Sequence, residues 1–419
     1  MKYVVTCLSA VLALFLLAFS PAASAQVHVM IPKSSLPQPP NASGQIMART
    51  TFRILVPSNG QMNFGSSAQP SELPPFSGYL YETPASLGCI YNLVSHAIPG
   101  CNPNKTIENP SGGSRAIAIV DAFDDPTAAS DLAAFSAQFG LPSAKFHVIY
   151  ANGAEPAQDP TGGWEVEESL DVQWSHAMAP GATIYLVEAG DNSLDNLYNA
   201  VAVANGLVAS AGGGQISMSW GSGEFTEETS VDPLFTVPGI VYVASAGDSP
   251  GVIYPSASPN VVSAGGTTVS RNINTGNFVL ESSWQDAGGG PSQVEPRPSF
   301  QNGVQYIVGN ARGTPDVSFD SNPNTGVWVY DSNAVTGVGW YIVGGTSVAA
   351  PSLSGIINSA GSFRRSSQAE NQLIYGNLFN GFDFRDISYG SCGVYIGTFA
   401  VPGYDLCAGV GSPIGLRGK

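Results

Sequence analysis

Gly344-Gly345-Thr346-Ser347-Val348-Ala349-Ala350-Pro351 sets two glycines and two hydroxyl residues ahead of a run of small side chains. Small residues with a proline near the first turn open a helix. Such a turn can hold the Ser347 hydroxyl at a helix N-terminus, with backbone N–H groups placed for an oxyanion. Taken alone, the stretch reads equally as a tight turn whose Thr346 or Ser347 caps the helix.

Upstream of it, from Arg115 onward, short apolar runs recur at Ala116–Val120, His147–Tyr150, Thr183–Val187, Ile216–Ser219 and Ile240–Ala244. Helical candidates lie between them at Pro126–Phe139, Val166–Met178 and Ser193–Val208. Continuous apolar runs alternating with helices predict an α/β fold, a mainly parallel central sheet with helices on both faces. Beyond Gly265 the chain is rich in Gly, Ser and Asn, which predicts short strands and loops. No internal repeat or strong linker divides it.

Of the 419 residues only 11% are charged, against roughly 25% in an ordinary soluble domain, and the net charge is −16. No basic stripe exists to bind phosphates, so nucleic acid and anionic membrane are excluded as partners. So few titrating groups also predict a stability that depends weakly on pH. Residues 1–25 read as a signal peptide. Lys2 leads it, Val11 to Phe19 are apolar, and Ala23-Ser24-Ala25 forms a small-residue cleavage site, so a secreted protein with no membrane anchor is expected. Residues 26–77 are rich in Pro, Ser and Asn with one apolar patch at Thr51 to Val56, and read as an extended leader or small accessory strand. Beyond Cys7, the cysteines fall as two close pairs, Cys89 with Cys101 and Cys392 with Cys407. In an oxidising compartment even local pairs predict two disulfides, although three connectivities are formally possible.

A nucleophilic serine needs a base. The four histidines, His28, His96, His147 and His176, all lack the setting of a catalytic histidine, and His176 sits inside an apolar helix as a packed residue would. The stretch Trp164-Glu165-Val166-Glu167-Glu168-Ser169-Leu170-Asp171 offers an alternative. Glu167 and Asp171 are four apart, on one helix face, beside an apolar stripe of Val166, Leu170, Trp174 and Ala177. Two carboxylates together in a cleft share a proton and can take one from Ser347 in acid, where histidine would be protonated. Ala244-Ser245-Ala246-Gly247-Asp248 ends an apolar run, and a protonated Asp248 can donate a hydrogen bond to an oxyanion.

The G-T-S-x-A-A-P string is similar to the nucleophile motif of the subtilases. The whole constellation resembles the sedolisin family of serine-carboxyl peptidases, from Thr83-Pro84 to the C-terminus. The resemblance runs through Glu167-x-x-Leu170-Asp171, Ser217-Met218-Ser219-Trp220-Gly221, Asp248, Tyr254-Pro255, Gly288-Gly289-Gly290, Arg297-Pro298-Ser299-Phe300-Gln301 and Pro315-Asp316-Val317 to Ser347. It implies a subtilisin-like fold over residues 78–419 and endopeptidase activity at low pH on protein or peptide substrates. It assigns Ser347 as nucleophile, Glu167 as base, Asp171 as its partner and Asp248 as oxyanion donor. Glu165 and Glu168 lack the family spacing to Asp171, and Asp121-Ala122-Phe123 lacks the Asp-Thr-Gly string of a subtilisin aspartate.

The resemblance also implies a Ca2+ site in Phe384-Arg385-Asp386-Ile387 and Val401-Pro402-Gly403-Tyr404-Asp405. Asp386 and Asp405 would bind by side chain, and Ile387, Val401 and Gly403 by carbonyl. Ser219-Trp220-Gly221 is expected to run along the bound substrate. Family members carry a long folded prosegment, and residues 26–77 are too short for one. A monomeric enzyme is expected. The competing reading is a catalytically silent secreted binding protein on the same fold, which a missing site residue would favour; none is missing.

Overall fold

The computed structural model describes residues 27–58, 62, 81–94, 102–103, 106–272, 275–333, 335–393 and 398–419. The signal peptide expected over residues 1–25 lies outside the described residues, as do His96, Cys101 and most of 59–80.

The amino-terminal segment supplies β1 (Val27–Met30), β2 (Arg49–Thr50) and β3 (Arg53–Pro57), and α1 (Pro84–Ile90) follows. Strands and helices then alternate as β4 (Ala116–Ala122), α2 (Ala128–Phe139), β5 (Lys145–Tyr150), α3 (Gly163–Met178), β6 (Thr183–Ala189), α4 (Leu194–Ser210) and β7 (Gly214–Met218). Next come β8 (Trp220–Gly223), β9 (Ile240–Ser245), β10 (Ile253–Tyr254), β11 (Val262–Arg271) and β12 (Phe278–Ser283). The chain continues through β13 (Gly290–Pro296), the short α5 (Gln305–Val308), β14 (Ala311–Thr314), β15 (Val317–Asp320), β16 (Val327–Asp331) and β17 (Gly339–Gly344). It passes directly from β17 into α6 (Thr346–Ser359), followed by α7 (Ser367–Gly376).

The central sheet has the order β12-β11-β9-β7-β4-β6-β5, with β15 also paired to β11. Every pairing is parallel except β11 with β12 at the edge. This is the α/β fold with a mainly parallel sheet expected from the alternation, and it is subtilisin-like, as the family resemblance implies. The five expected strands and three expected helices all form, with no end moved by more than three residues. β7 begins at Gly214 rather than Ile216, because Gly214 and Gln215 pair with β4 without adding apolar signal.

Both sheet faces are buried, which is why the strands read as unbroken apolar runs. Ala116, Ala118 and Val120 of β4 pack under α4 with Leu197, Val201 and Val208. The alternate residues Ile117 and Ile119 pack on the opposite face with Leu132 of α2 and Val172 of α3. On that second side α3 lies against α6, with Val166, Leu170 and Trp174 in one cluster with Val348, Leu353 and Ile356. Burying those stripes fixes the register in which α3 presents its carboxylates to the start of α6. A second, antiparallel sheet, β1-β3-β17-β16, ties the amino-terminal segment to the strand that delivers the nucleophile.

Candidate active site

α3 is buried along its whole length, so the acidic face that would ordinarily meet water faces protein instead. Glu167 lies against Ser347, whose hydroxyl favours the ionised carboxylate; still, neither Glu167 oxygen makes a well-formed hydrogen bond among the described residues. Asp171, one turn on, accepts a hydrogen bond at Oδ1 from the Ser219 hydroxyl at 2.9 Å. Burial pushes the Glu167 carboxyl well above its ordinary range, and the nearby charges of Asp171 and then Asp121 push the same way. Burial likewise raises Asp171, opposed by the Ser219 hydrogen bond. Two facing carboxyls that cannot both ionise cheaply hold a shared proton.

Ser347 occupies the first turn of α6, immediately after a sharp strand-to-helix junction at Gly345. Gly345 has φ +115, and a Cβ there would stand 2.3 Å from the Thr51 carbonyl oxygen, 2.5 Å from Phe52 Cα and 2.6 Å from Asp248 Oδ2. Only glycine fits, for conformation and for space. The Ser347 amide donates to the Thr51 carbonyl at 3.0 Å.

Asp248 follows β9. Its Oδ1 accepts from the Thr346 amide at 2.8 Å and the Thr346 hydroxyl at 2.9 Å. That hydroxyl in turn accepts from the Gly247 amide at 3.0 Å. Oδ2 has no partner among the described residues. Burial pushes the Asp248 carboxyl up to about 7, against the opposing pull of Arg53 and the Thr346 hydrogen bonds. In acid it is therefore a neutral group with a donor free on the side of Gly345. Thr346, which the sequence offered only as a possible cap, is what orients it.

No family model matches the chain. Kumamolisin from Bacillus sp. (strain MN-32) is 28% identical over 350 residues, which cover 74% of this chain and 60% of that protein. Sedolisin from Pseudomonas sp. (strain 101) is 24% identical over 285 residues, 59% of this chain and 47% of that protein. The chain thus spans between about half and three fifths of the length of these relatives. The solved structure of Pseudomonas sedolisin, a serine-carboxyl proteinase complexed with two molecules of pseudo-iodotyrostatin, superposes with a TM-score of 0.65 at 24% identity. That superposition covers 80% of this chain and 95% of the other. The chain is similar in sequence to these sedolisin-type peptidases and shares the fold of Pseudomonas sedolisin.

Around this site the other acidic residues sort themselves by contact. Glu165 accepts the Asp159 amide at 2.9 Å and serves the loop that leads into α3. Glu168 is buried beside Glu188 and Asp125, with neither oxygen partnered among the described residues. Asp121, set aside in the sequence for lacking Asp-Thr-Gly, is fully buried at the end of β4 and close enough to Asp171 and Glu167 to couple with both. An acid closing an otherwise apolar central strand was the signal for it. His176 bonds to the Pro142 carbonyl at 2.8 Å, and His147 stacks on Tyr185, so each is accounted for by packing.

In the C-terminal loops, Asp386 Oδ1 accepts the Gly403 amide at 3.0 Å. Asp405 Oδ2 accepts the Val401 amide at 2.9 Å, while its Oδ1 takes the Cys407 and Ala408 amides. Both aspartates therefore converge on residues 401–405. Burial raises Asp405 to about 6, and the Asp386 charge adds to that rise. None of the hydrogen bonds among the described residues ends on the carbonyls of Ile387, Val401 or Gly403. Two carboxylates and three uncommitted carbonyls are a hard-oxygen set that fits a calcium ion. No group of three or more His, Cys, Asp or Glu side chains suited to a metal occurs among the described residues, so carbonyls would have to complete the shell. The disulfide Cys392–Cys407 braces this loop. Cys89 is also disulfide-bonded, and its expected partner Cys101 lies outside the described residues.

Proposed function

We propose that this protein is a secreted serine-carboxyl peptidase that hydrolyses peptide bonds of proteins and peptides in acid. The observation that carries the reading is the meeting of the buried Glu167–Asp171 pair with Ser347 at the start of α6. The Ser347 hydroxyl oxygen attacks the substrate carbonyl carbon while Glu167 takes its proton. Asp171, held by Ser219, stabilises the protonated pair. The Ser347 amide and the neutral Asp248 carboxyl donate to the oxyanion. Glu167 then passes the proton to the leaving amine, and water reverses the steps to free the acid.

The pair must lose one proton to act. The Ser219 hydrogen bond to Asp171, the Ser347 hydroxyl beside Glu167 and the N-terminus of α6 favour that ionisation against burial and mutual repulsion. Calcium, held by Asp386 and Asp405 with the carbonyls of Ile387, Val401 and Gly403, belongs to the same reading as a brace for the C-terminal loops and takes no part in the chemistry. No helix among the described residues is long and apolar enough to cross a membrane. The enzyme is read as a monomer acting on protein or peptide substrates, with neither nucleic acid nor membrane as a partner. Purified protein should digest an unfolded protein between about pH 3 and 5, where free carboxylates titrate, and Ser347→Ala should not. Absence of cleavage across that range would overturn the reading.

A further inference from the structure

Residues 224–232, Glu-Phe-Thr-Glu-Glu-Thr-Ser-Val-Asp, carry four carboxyls and no base. Such a run ordinarily stays in water. Here Glu228 is fully buried, Glu224 and Asp232 are half-buried, and only Glu227 is exposed. The segment leaves β8, makes the short 3-10 turns Glu228–Ser230 and Asp232–Phe235, and packs on β13. A cavity of about 710 Å³ is lined by Glu224, Phe225 and Thr226 of the segment and by Pro291, Gln293 and Val294 of β13.

The two walls are joined through carboxyls. Glu224 accepts the Ser292 hydroxyl and, at Oε2, the Gln293 amide at 3.0 Å. Glu228 accepts the Phe225 amide at 2.8 Å and faces Glu224. Glu295 of β13 is also buried and faces Asp232, whose Oδ1 takes the Tyr254 hydroxyl at 3.1 Å and the Ser258 hydroxyl at 2.5 Å. Each facing pair is close enough for one carboxyl to donate to the other. Glu228 Oε1 and Glu295 Oε1 are buried and meet no other donor among the described residues. No cation answers these acids. The described ion pairs lie elsewhere, and Arg297, the first base after β13, bonds to Asn302 instead. The titratable neighbours on α4 are Asp195 and Tyr198, and on β10 Tyr254, none of which supplies positive charge.

Two buried carboxyls in contact hold together only while one keeps its proton; as two carboxylates they repel. We infer that residues 224–232 are an acid-closed wall of this cavity, fastened to β13 by the proton-sharing pairs Glu224–Glu228 and Asp232–Glu295 and released when those protons leave. Burial pushes Glu228 up to about 7 against the Phe225 amide, and burial with the Asp232 charge pushes Glu295 up to about 8. The closed wall thus holds both protons more tightly than an open one. Its fastening is complete below about pH 4, the free carboxylate value, and fails as pH rises through about 7 to 8. Pro250 and Gly251, just beyond Asp248, also line the cavity. The use of the wall rests on the peptidase reading: it ties peptide binding to acid separately from the ionisation of Glu167 and Asp171.

Glu228→Gln with Glu295→Gln replaces each shared proton by an amide donor that does not titrate. The test is amide hydrogen exchange at pH 5 and 8, corrected for the intrinsic rate, on full-length Ser347→Ala chain with and without the two changes. Protection of residues 225–235 should fall about tenfold at pH 8, one unit above the Glu228 value. Protection of α4 should fall less, and the doubly changed chain should keep its protection over 225–235. In the active chain, KM for an extended peptide should rise from pH 5 to 7 in wild type and stay level in the double variant. Equal protection at both pH values, an equal loss along α4, or the same loss in the double variant overturns the wall. A KM profile that the two changes leave unaltered overturns its use. The peptidase reading survives each of these results and falls only if no peptide is cut, a case in which the exchange measurement still decides on the wall. Should the double variant fold poorly, the wild-type exchange decides alone.

Discussion

Raising the pH from 4 to 8 should destabilise this protein, and Asp125 shows by how much. Asp125 is buried at the turn before α2, and burial pushes its carboxyl from 3.8 up to about 7, with the Asp331 charge adding to the rise. The folded state therefore holds this proton more tightly than the unfolded chain. The resulting stability is complete below about pH 4, the unfolded value, and is lost as pH rises through about 7. A gap of about three units at about 1.4 kcal/mol each is a loss on the order of 4 kcal/mol. Asp331 and Glu370, fully buried and raised to about 6 and about 7 chiefly by burial, act in the same direction. The assay is urea unfolding at pH 4, 6 and 8, followed by tryptophan fluorescence, on a Ser347→Ala background that cannot digest itself. Asp125→Asn keeps the acceptor for the Thr127 amide and hydroxyl, now 2.9 and 2.8 Å away, yet cannot ionise. It should reduce the loss between pH 4 and 8 by a measurable share of that 4 kcal/mol. A protein equally stable, or more stable, at pH 8 would refute the reasoning, as would an unchanged pH dependence in Asp125→Asn.

Further outcomes follow from single contacts. Asp248→Ala removes one oxyanion donor and should lower kcat by about 10²–10³ with little change in KM, which steady-state kinetics at acid pH would show. Gly345→Ala puts a methyl 2.3 Å from the Thr51 carbonyl oxygen at a φ of +115; it should lower both the thermal midpoint and the activity, and a variant that retains both would contradict the described junction. If calcium holds the C-terminal loops, a chelator should lower the calorimetric unfolding midpoint and added calcium should restore it; an unchanged midpoint would remove the site.

The sheet was legible because strands buried on both faces, such as Ala116–Ala122, leave an unbroken apolar run that needs no knowledge of their neighbours. Ser347, Glu167, Asp171 and Asp248 stood out as candidates because the proposed chemistry requires particular residue types at particular spacings. What escaped was contact over long sequence separation. Thr51 reaches Ser347 across 296 residues, and Thr346 orients Asp248 across 98, through hydroxyls and carbonyls that no periodicity records. Asp121 escaped for a different reason: its motif was wrong for one enzyme class, while its burial beside Asp171 shows only in three dimensions. The low charge count predicted a stability nearly blind to pH. The fold reverses that expectation, because it is where the few carboxyls lie, and not how many there are, that sets their pKa values.

The central claim is that a carboxylate, Glu167, is the base for Ser347. Measuring kcat/KM of wild type and Glu167→Gln on one peptide substrate from about pH 3 to 7, across the carboxylate range, tests it most directly, with the melting of each recorded alongside. The account predicts a wild type active in acid and a variant that melts like it yet has lost at least about 10²–10⁴-fold of its activity at every pH, the usual worth of a general base. A folded Glu167→Gln protein with activity within tenfold of wild type would contradict it.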